Sequence, residues 1–195
     1  MQKILHGIVK AHKRIIFNGD GYTDNWLEEA ARRGLPNART TMEAIKALTK
    51  ADNVKLFEKY GVYNDRELKS RYEVFEENYH RKIHIEGEVA LEIAASMIAP
   101  VAAHEYGELS RALAAAKQAG LADGVKALTD GAATLGKALD ELEKRIGELR
   151  KALGGKHEKL LKAMDDLRIT VDGLEKIIPD ASWPLPKYRE MLFVY

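Results

Sequence analysis

Residues 135–178 read LGKALDELEKRIGELRKALGGKHEKLLKAMDDLRITVDGLEKII, and this stretch decides the fold class. Leu135, Leu139, Leu142, Ile146, Leu149 and Leu153 step by four, three, four, three and four. Beyond Gly154-Gly155 the same stepping returns in Leu160, Met164, Leu167, Val171, Leu174 and Ile178. Such a period keeps one apolar seam of each helix turned toward a neighbour. Two such helices joined by a Gly-Gly turn predict an antiparallel helical hairpin with a coiled-coil-like seam. Residues 125–153, taken as one helix, would be about 43 Å long at ~1.5 Å per residue. Between Leu121 and Ile178 stand 11 Lys/Arg and 11 Asp/Glu, so the outer faces are mixed and solvated. The seam reads as packing.

N-terminal to the hairpin the pattern is also helical, though less regular. Asn64 can cap a helix with Glu67 at its third position, and Leu68, Tyr72, Phe75 and Tyr79 continue the pattern to about Ala99. Pro100 then removes a helix hydrogen bond, which predicts a kink or a break. The Ala-rich stretch after it ends at Gly120. The first 62 residues are different in character. Ile4, Leu5, Ile8, Val9, Ile15 and Ile16 fall at mostly helical spacing and stop at Asn18-Gly19-Asp20-Gly21. Thr23 or Asp24 can cap a short helix carrying Trp26, Leu27 and Ala30, closed by Gly34. Thr40 and Glu43 have capping-box spacing, and a further short helix with Val54, Leu56 and Phe57 ends at Gly61. The strand-like stretches Ile15–Phe17 and Lys82–Ile85 are too short to carry a sheet. The fold class is therefore mainly α. Short turn-linked helices occupy 1–62, a bundle of long helices 63–178, and a Pro-rich apolar tail 179–195.

Composition narrows the function classes. The chain has 195 residues, 31 Lys+Arg against 30 Asp+Glu, no Cys and 46% hydrophobic residues. Balanced charge is unlike a dedicated nucleic-acid binder. Without Cys there is no disulfide framework, thiolate metal site or Cys nucleophile. No apolar run reaches the ~18 residues of a membrane span. The first residues lack the apolar core of a signal peptide, so a cytoplasmic location is expected.

Three constellations could carry chemistry. Asn18-Gly19-Asp20-Gly21-Tyr22 is either a tight turn or a ligand-facing loop, without the spacing of a phosphate or calcium loop. Glu77, His80 and His84 share one helical face, as zinc or half of a di-iron site would need. None of His6, His12, His104 and His157 has Glu three residues before it, so a solvated polar face is the competing reading. His104-Glu105 could serve acid–base chemistry only with a pocket and an oriented partner. No catalytic, cofactor-binding or metal residue is assigned.

Three further stretches carry a resemblance. They are AHKRIIFNGDGYTDNW (11–26) with 28–37 behind it, VKLFEKYGVYNDRELKSRYEVFEENYHRKIH (54–84) running into IEGEVALEIAASMIAP, and the terminal WPLPKYREMLFVY. Together they resemble the C-terminal region of type III glutamine synthetase, across essentially the whole chain. The hairpin at 121–178 is the least specific part. The resemblance implies a full-length enzyme that joins ammonia to the γ-carboxylate of glutamate with ATP and Mg²⁺ or Mn²⁺, assembled as stacked rings. Its catalytic motifs lie upstream of the matched region, so no catalytic residue carries over. Residues 1–62 are then expected to abut the absent catalytic domain, and the chain to be structural and inactive alone. A stand-alone helical interaction or scaffold protein is the alternative. Two fates are open for the apolar tail: packing back on the bundle, or cover from a partner.

Overall fold

In the computed structural model, residues 1–155 and 157–192 are described, with Glu158, Tyr188 and Arg189 by backbone alone. The capping signals set the elements. Helix α1 spans Gln2–His12 and passes into a tighter 3-10 turn at Lys13–Ile15. Helix α2, Asp24–Arg32, starts after Thr23 and ends where Gly34 takes φ +71°, with the Leu35 amide donating to Ala30 O at 2.9 Å. Helix α3, Thr41–Ile45, is capped by Thr40, whose hydroxyl accepts from the Glu43 amide at 3.2 Å. The return half of that box goes elsewhere, because Glu43 accepts from the Arg39 amide. Helix α4, Ala51–Lys59, stops at Gly61, which has φ +63°.

Helix α5, Asp65–Ile93, begins with a complete capping box. Glu67 N–H donates to Asn64 Oδ1 at 2.9 Å, and Asn64 N–H to Glu67 Oε2 at 2.8 Å. Pro100 neither ends the helix nor stands as a simple kink. A π-helical turn at Ala94–Ile98 links α5 to α6, Ala99–Gln118, with Pro100 in the first turn of α6. Proline has no N–H for the Ser96 carbonyl, and its ring crowds that group. The wider turn absorbs the conflict, with the Ala99 amide donating five residues back to Ala94 O. The Lys82–Ile85 stretch lies within α5.

The hairpin follows as α7, Val125–Leu153, and α8, His157–Glu175. Leu142, Leu149 and Leu174 are fully enclosed, and Leu135, Ile146, Leu160, Leu167 and Ile178 nearly so. Leu139, Leu153, Met164 and Val171, the remaining heptad residues, are half-buried against the same core. Ala94, Ile98, Ala99 and Ala102 join that core from the π turn and α6. Two glycines let the helices approach closely. A Cβ on Gly87 would lie 3.0 Å from Leu160 Cδ1, and one on Gly136 would lie 3.1 Å from the Tyr106 ring. Trp183, 8% exposed, completes the core from the segment after α8. A short helix α9, Tyr188–Met191, follows; Met191 and Leu192 are exposed. Phe193, Val194 and Tyr195, part of the apolar tail noted in the sequence, lie outside the described residues.

By contact the chain divides into two units, Met1–Glu76 and Glu77–Tyr195. The second contains the core just described. Within the first, Phe17 packs on Trp26 with ring centroids 4.8 Å apart, and Arg33 Nη1 donates to Arg14 O at 2.7 Å. The Arg71 guanidinium lies 4.2 Å over the Tyr63 ring, which also meets Phe57. Among the described residues no helix is long and apolar enough to cross a membrane.

Candidate functional site

The polar trio singled out in the sequence does not converge. Glu77 pairs with Arg81 at 2.6 Å, and His84 Nδ1 faces Glu88 at 3.6 Å. His80 instead lies against α8, its ring 4.5 Å from that of His157, while Tyr79 meets His157 edge-on at 4.9 Å. The three rings form an aromatic contact joining α5 to the start of α8. Among the described residues no three His, Asp or Glu side chains gather as a metal site would require. The His80–His157 contact joins residues far apart in sequence, and helical spacing within α5 alone gives no signal for it. His104 Nε2 faces Glu108 at 3.9 Å rather than engaging Glu105, and both partners are largely exposed.

The glycine-rich stretch at 18–22 is a tight turn. Asp20 Oδ1 accepts from the Tyr22 amide at 2.9 Å, and Asp20 O accepts from the Thr23 hydroxyl at 2.8 Å. Its carboxylate thus serves the local backbone. A Cβ on Gly19 would stand 2.5 Å from the tip of the Phe17 ring, so that ring would have to shift to admit one.

The feature of the first unit that asks for an explanation is its apolar surface. Helix α1 buries no residue, although Ile4, Leu5, Ile8 and Val9 sit at helical spacing, each more than half exposed. Ile15 and Ile16 extend the exposed apolar surface beyond the helix. Among residues 1–76 the buried apolar side chains are only Ala30, Val54 and Leu68. Helix α7 alone buries Ala132, Leu135, Leu142, Ile146 and Leu149. What this surface can do chemically is bury itself against another apolar surface.

Among the described residues the chain is helical, and its first unit carries an exposed apolar surface on α1. Residues 1–117 match the family model described as the glutamine synthetase C-terminal domain, and the chain belongs to that family. It is 35% identical over 209 residues to a glutamine synthetase of Butyrivibrio fibrisolvens, covering 99% of this chain and 29% of that protein. It is 27% identical over 209 residues to the type-3 glutamine synthetase of Dictyostelium discoideum, covering 98% of this chain and 28% of that one. A glutamine synthetase of Bacteroides fragilis (strain YCH46) is 32% identical over 208 residues, 98% of this chain and 28% of the relative. The chain therefore spans under a third of the length of these relatives, and it corresponds to a C-terminal region of them. The hairpin lies beyond the family match and within the span of the alignments to whole relatives.

Proposed function

We propose that this chain serves as the structural C-terminal part of an ATP-dependent glutamate–ammonia ligase, resting through residues 1–62 on the catalytic domain of the same enzyme. The observation that carries the reading is the poverty of the first unit's core. Ala30, Val54 and Leu68 are its buried apolar residues, while Ile4, Leu5, Ile8, Val9 and Ile15 face solvent. A unit of that size has too little apolar burial to offset the entropy of ordering its short elements. An upstream domain in contact with α1 would supply the rest.

In this reading ATP and Mg²⁺ or Mn²⁺ belong to the full-length cytoplasmic enzyme. The described residues do not fit a metal site: Glu77 is engaged by Arg81, and His80 is packed against His157. No step of phosphoryl transfer is assigned to them. Catalysis is left to the upstream domain, and the long helices stabilise the subunit within a homo-oligomer.

The test mixes the purified chain with the upstream catalytic portion, followed by size-exclusion chromatography with light scattering and an assay of glutamine formation. Co-migration, with glutamine formed by the mixture or a fused chain and none by this chain alone, is the expected outcome. Independent migration, with an upstream portion fully active without this chain fused to it, would sink the reading. Glutamine synthesis by the isolated chain would do so as well.

A further inference from the structure

Near the Gly154-Gly155 turn, residues of α7 and α8 line a broad, open recess of about 660 Å³. Four cationic side chains line it: Arg145 and Lys151 from α7, Lys159 and Lys162 from α8. Two carboxylates, Glu148 and Asp166, line it as well. Both are engaged by Arg145, whose Nη1 lies 2.8 Å from Glu148 Oε2 and 3.2 Å from Asp166 Oδ2. Arg145 Nε also lies 2.7 Å from Glu141 Oε1. The carboxylates are thus occupied by the guanidinium. Among the described residues, no carboxylate lies within ion-pair distance of Lys151, Lys159 or Lys162.

This arrangement differs from an ordinary solvated helix face. Over the hairpin cations and anions are equal in number, 11 each, yet residues 150–162 (RKALGGKHEKLLK) hold Arg150, Lys151, Lys156, Lys159 and Lys162 against Glu158 alone. Gly155 adds no side chain to the rim, so the concavity stays open. Three exposed ammonium groups around a recess concentrate positive potential, and Lys binds phosphoryl oxygens as a point charge. The cavity also falls in the range of small-molecule sites, roughly 300–1,000 Å³. A small multivalent anion matches that size and charge better than the broad surface of an acidic protein.

We propose that this recess between α7 and α8 binds a small polyphosphate-bearing anion through Lys151, Lys159 and Lys162.

Tripolyphosphate is the probe, titrated calorimetrically into the intact chain at low and at physiological salt. One saturable site is expected, weaker at the higher salt because exposed charges are screened. Replacing all three lysines (Lys151→Gln, Lys159→Gln, Lys162→Gln) should weaken binding about tenfold, the loss of three exposed charge contacts. A control with the same change of net charge (Lys46→Gln, Lys50→Gln, Lys55→Gln) should leave it unchanged. All six positions are exposed, and a thermal melt verifies that both variants fold. Absence of saturable binding would overturn the proposal, as would equal losses in the two triple variants or an unaffected first variant. Displacement of tripolyphosphate by a short oligoglutamate peptide at lower concentration would also overturn it, in favour of an acidic protein segment.

Discussion

At the scale of single residues, Gly19 and Leu142 are constrained for opposite reasons. Gly19 leaves room for the Phe17 ring, which packs on Trp26, so Gly19→Ala must displace an aromatic contact. We expect a loss of about 1 kcal/mol, read as a shift of the denaturation midpoint. The sequence marked this glycine as a turn residue; its need for space came from a ring two positions away, which spacing does not reveal. Leu142 is fully enclosed, and Leu142→Ala should cost about 2–5 kcal/mol through lost burial and the cavity left behind. Leu139, one heptad step earlier and only half-buried, should cost clearly less when truncated, and both melts can be compared directly. Charge adds a pH dependence at Glu141. Partial burial pushes its carboxyl up, but Lys144 and Arg145 outweigh that effect and hold it below its ordinary value. A group lowered on folding stabilises the fold above the ordinary carboxylate range and loses that contribution as pH falls through its lowered value. Glu141→Gln should therefore flatten the acid limb of the stability–pH profile and leave the slope near neutrality unchanged.

At the scale of elements, the hairpin was the most legible part of the chain. Each core position recurs at the spacing a helix imposes, and the expected span of α7, 125–153, matches the structure. The caps at Asn64, Gly34 and Gly61 were readable because each meets a local backbone need, whereas Thr23 precedes α2 without capping it, its hydroxyl donating back to Asp20 O. The π turn at Ala94–Ile98 was not readable, because Pro100 states only that a regular helix fails there. How it fails depends on Ala94, Ile98 and Ala102 packing against the hairpin, which is tertiary information. The His80–His157 contact was hidden for the same reason. Gly87 shows how tightly α5 sits on the hairpin end, with Leu160 and Leu153 near contact distance of any added Cβ. Gly87→Leu should destabilise the second unit by about 1–3 kcal/mol, seen as a lower melting temperature of the helical signal. The same substitution at Gly147, where nothing lies within 4 Å of an added Cβ, should be far milder.

At the scale of the whole molecule, the contrast between Met1–Glu76 and Glu77–Tyr195 governs the account. The second unit has an apolar core drawn from the π turn, three long helices and Trp183. The first has Ala30, Val54 and Leu68. Membership in the glutamine synthetase C-terminal family rests on residues 1–117, which include all of that lightly packed unit. In the sequence the same stretch reads as short turn-linked elements preceding long periodic ones. Within the first unit, the first turns of α5 carry the buried Leu68 and place Arg71 over the Tyr63 ring. In the proposed reading, Ile4, Leu5, Ile8 and Val9 meet the upstream catalytic domain. Hydrogen exchange read by mass spectrometry, on the chain alone and then with the upstream catalytic portion, tests this most directly. Amides of 2–12 are expected to exchange rapidly in the isolated chain while those of 135–149 are protected, and 2–12 to become protected on mixing or fusion. Strong protection of 2–12 in the isolated chain, unchanged when the catalytic portion is added or fused, would contradict that reading.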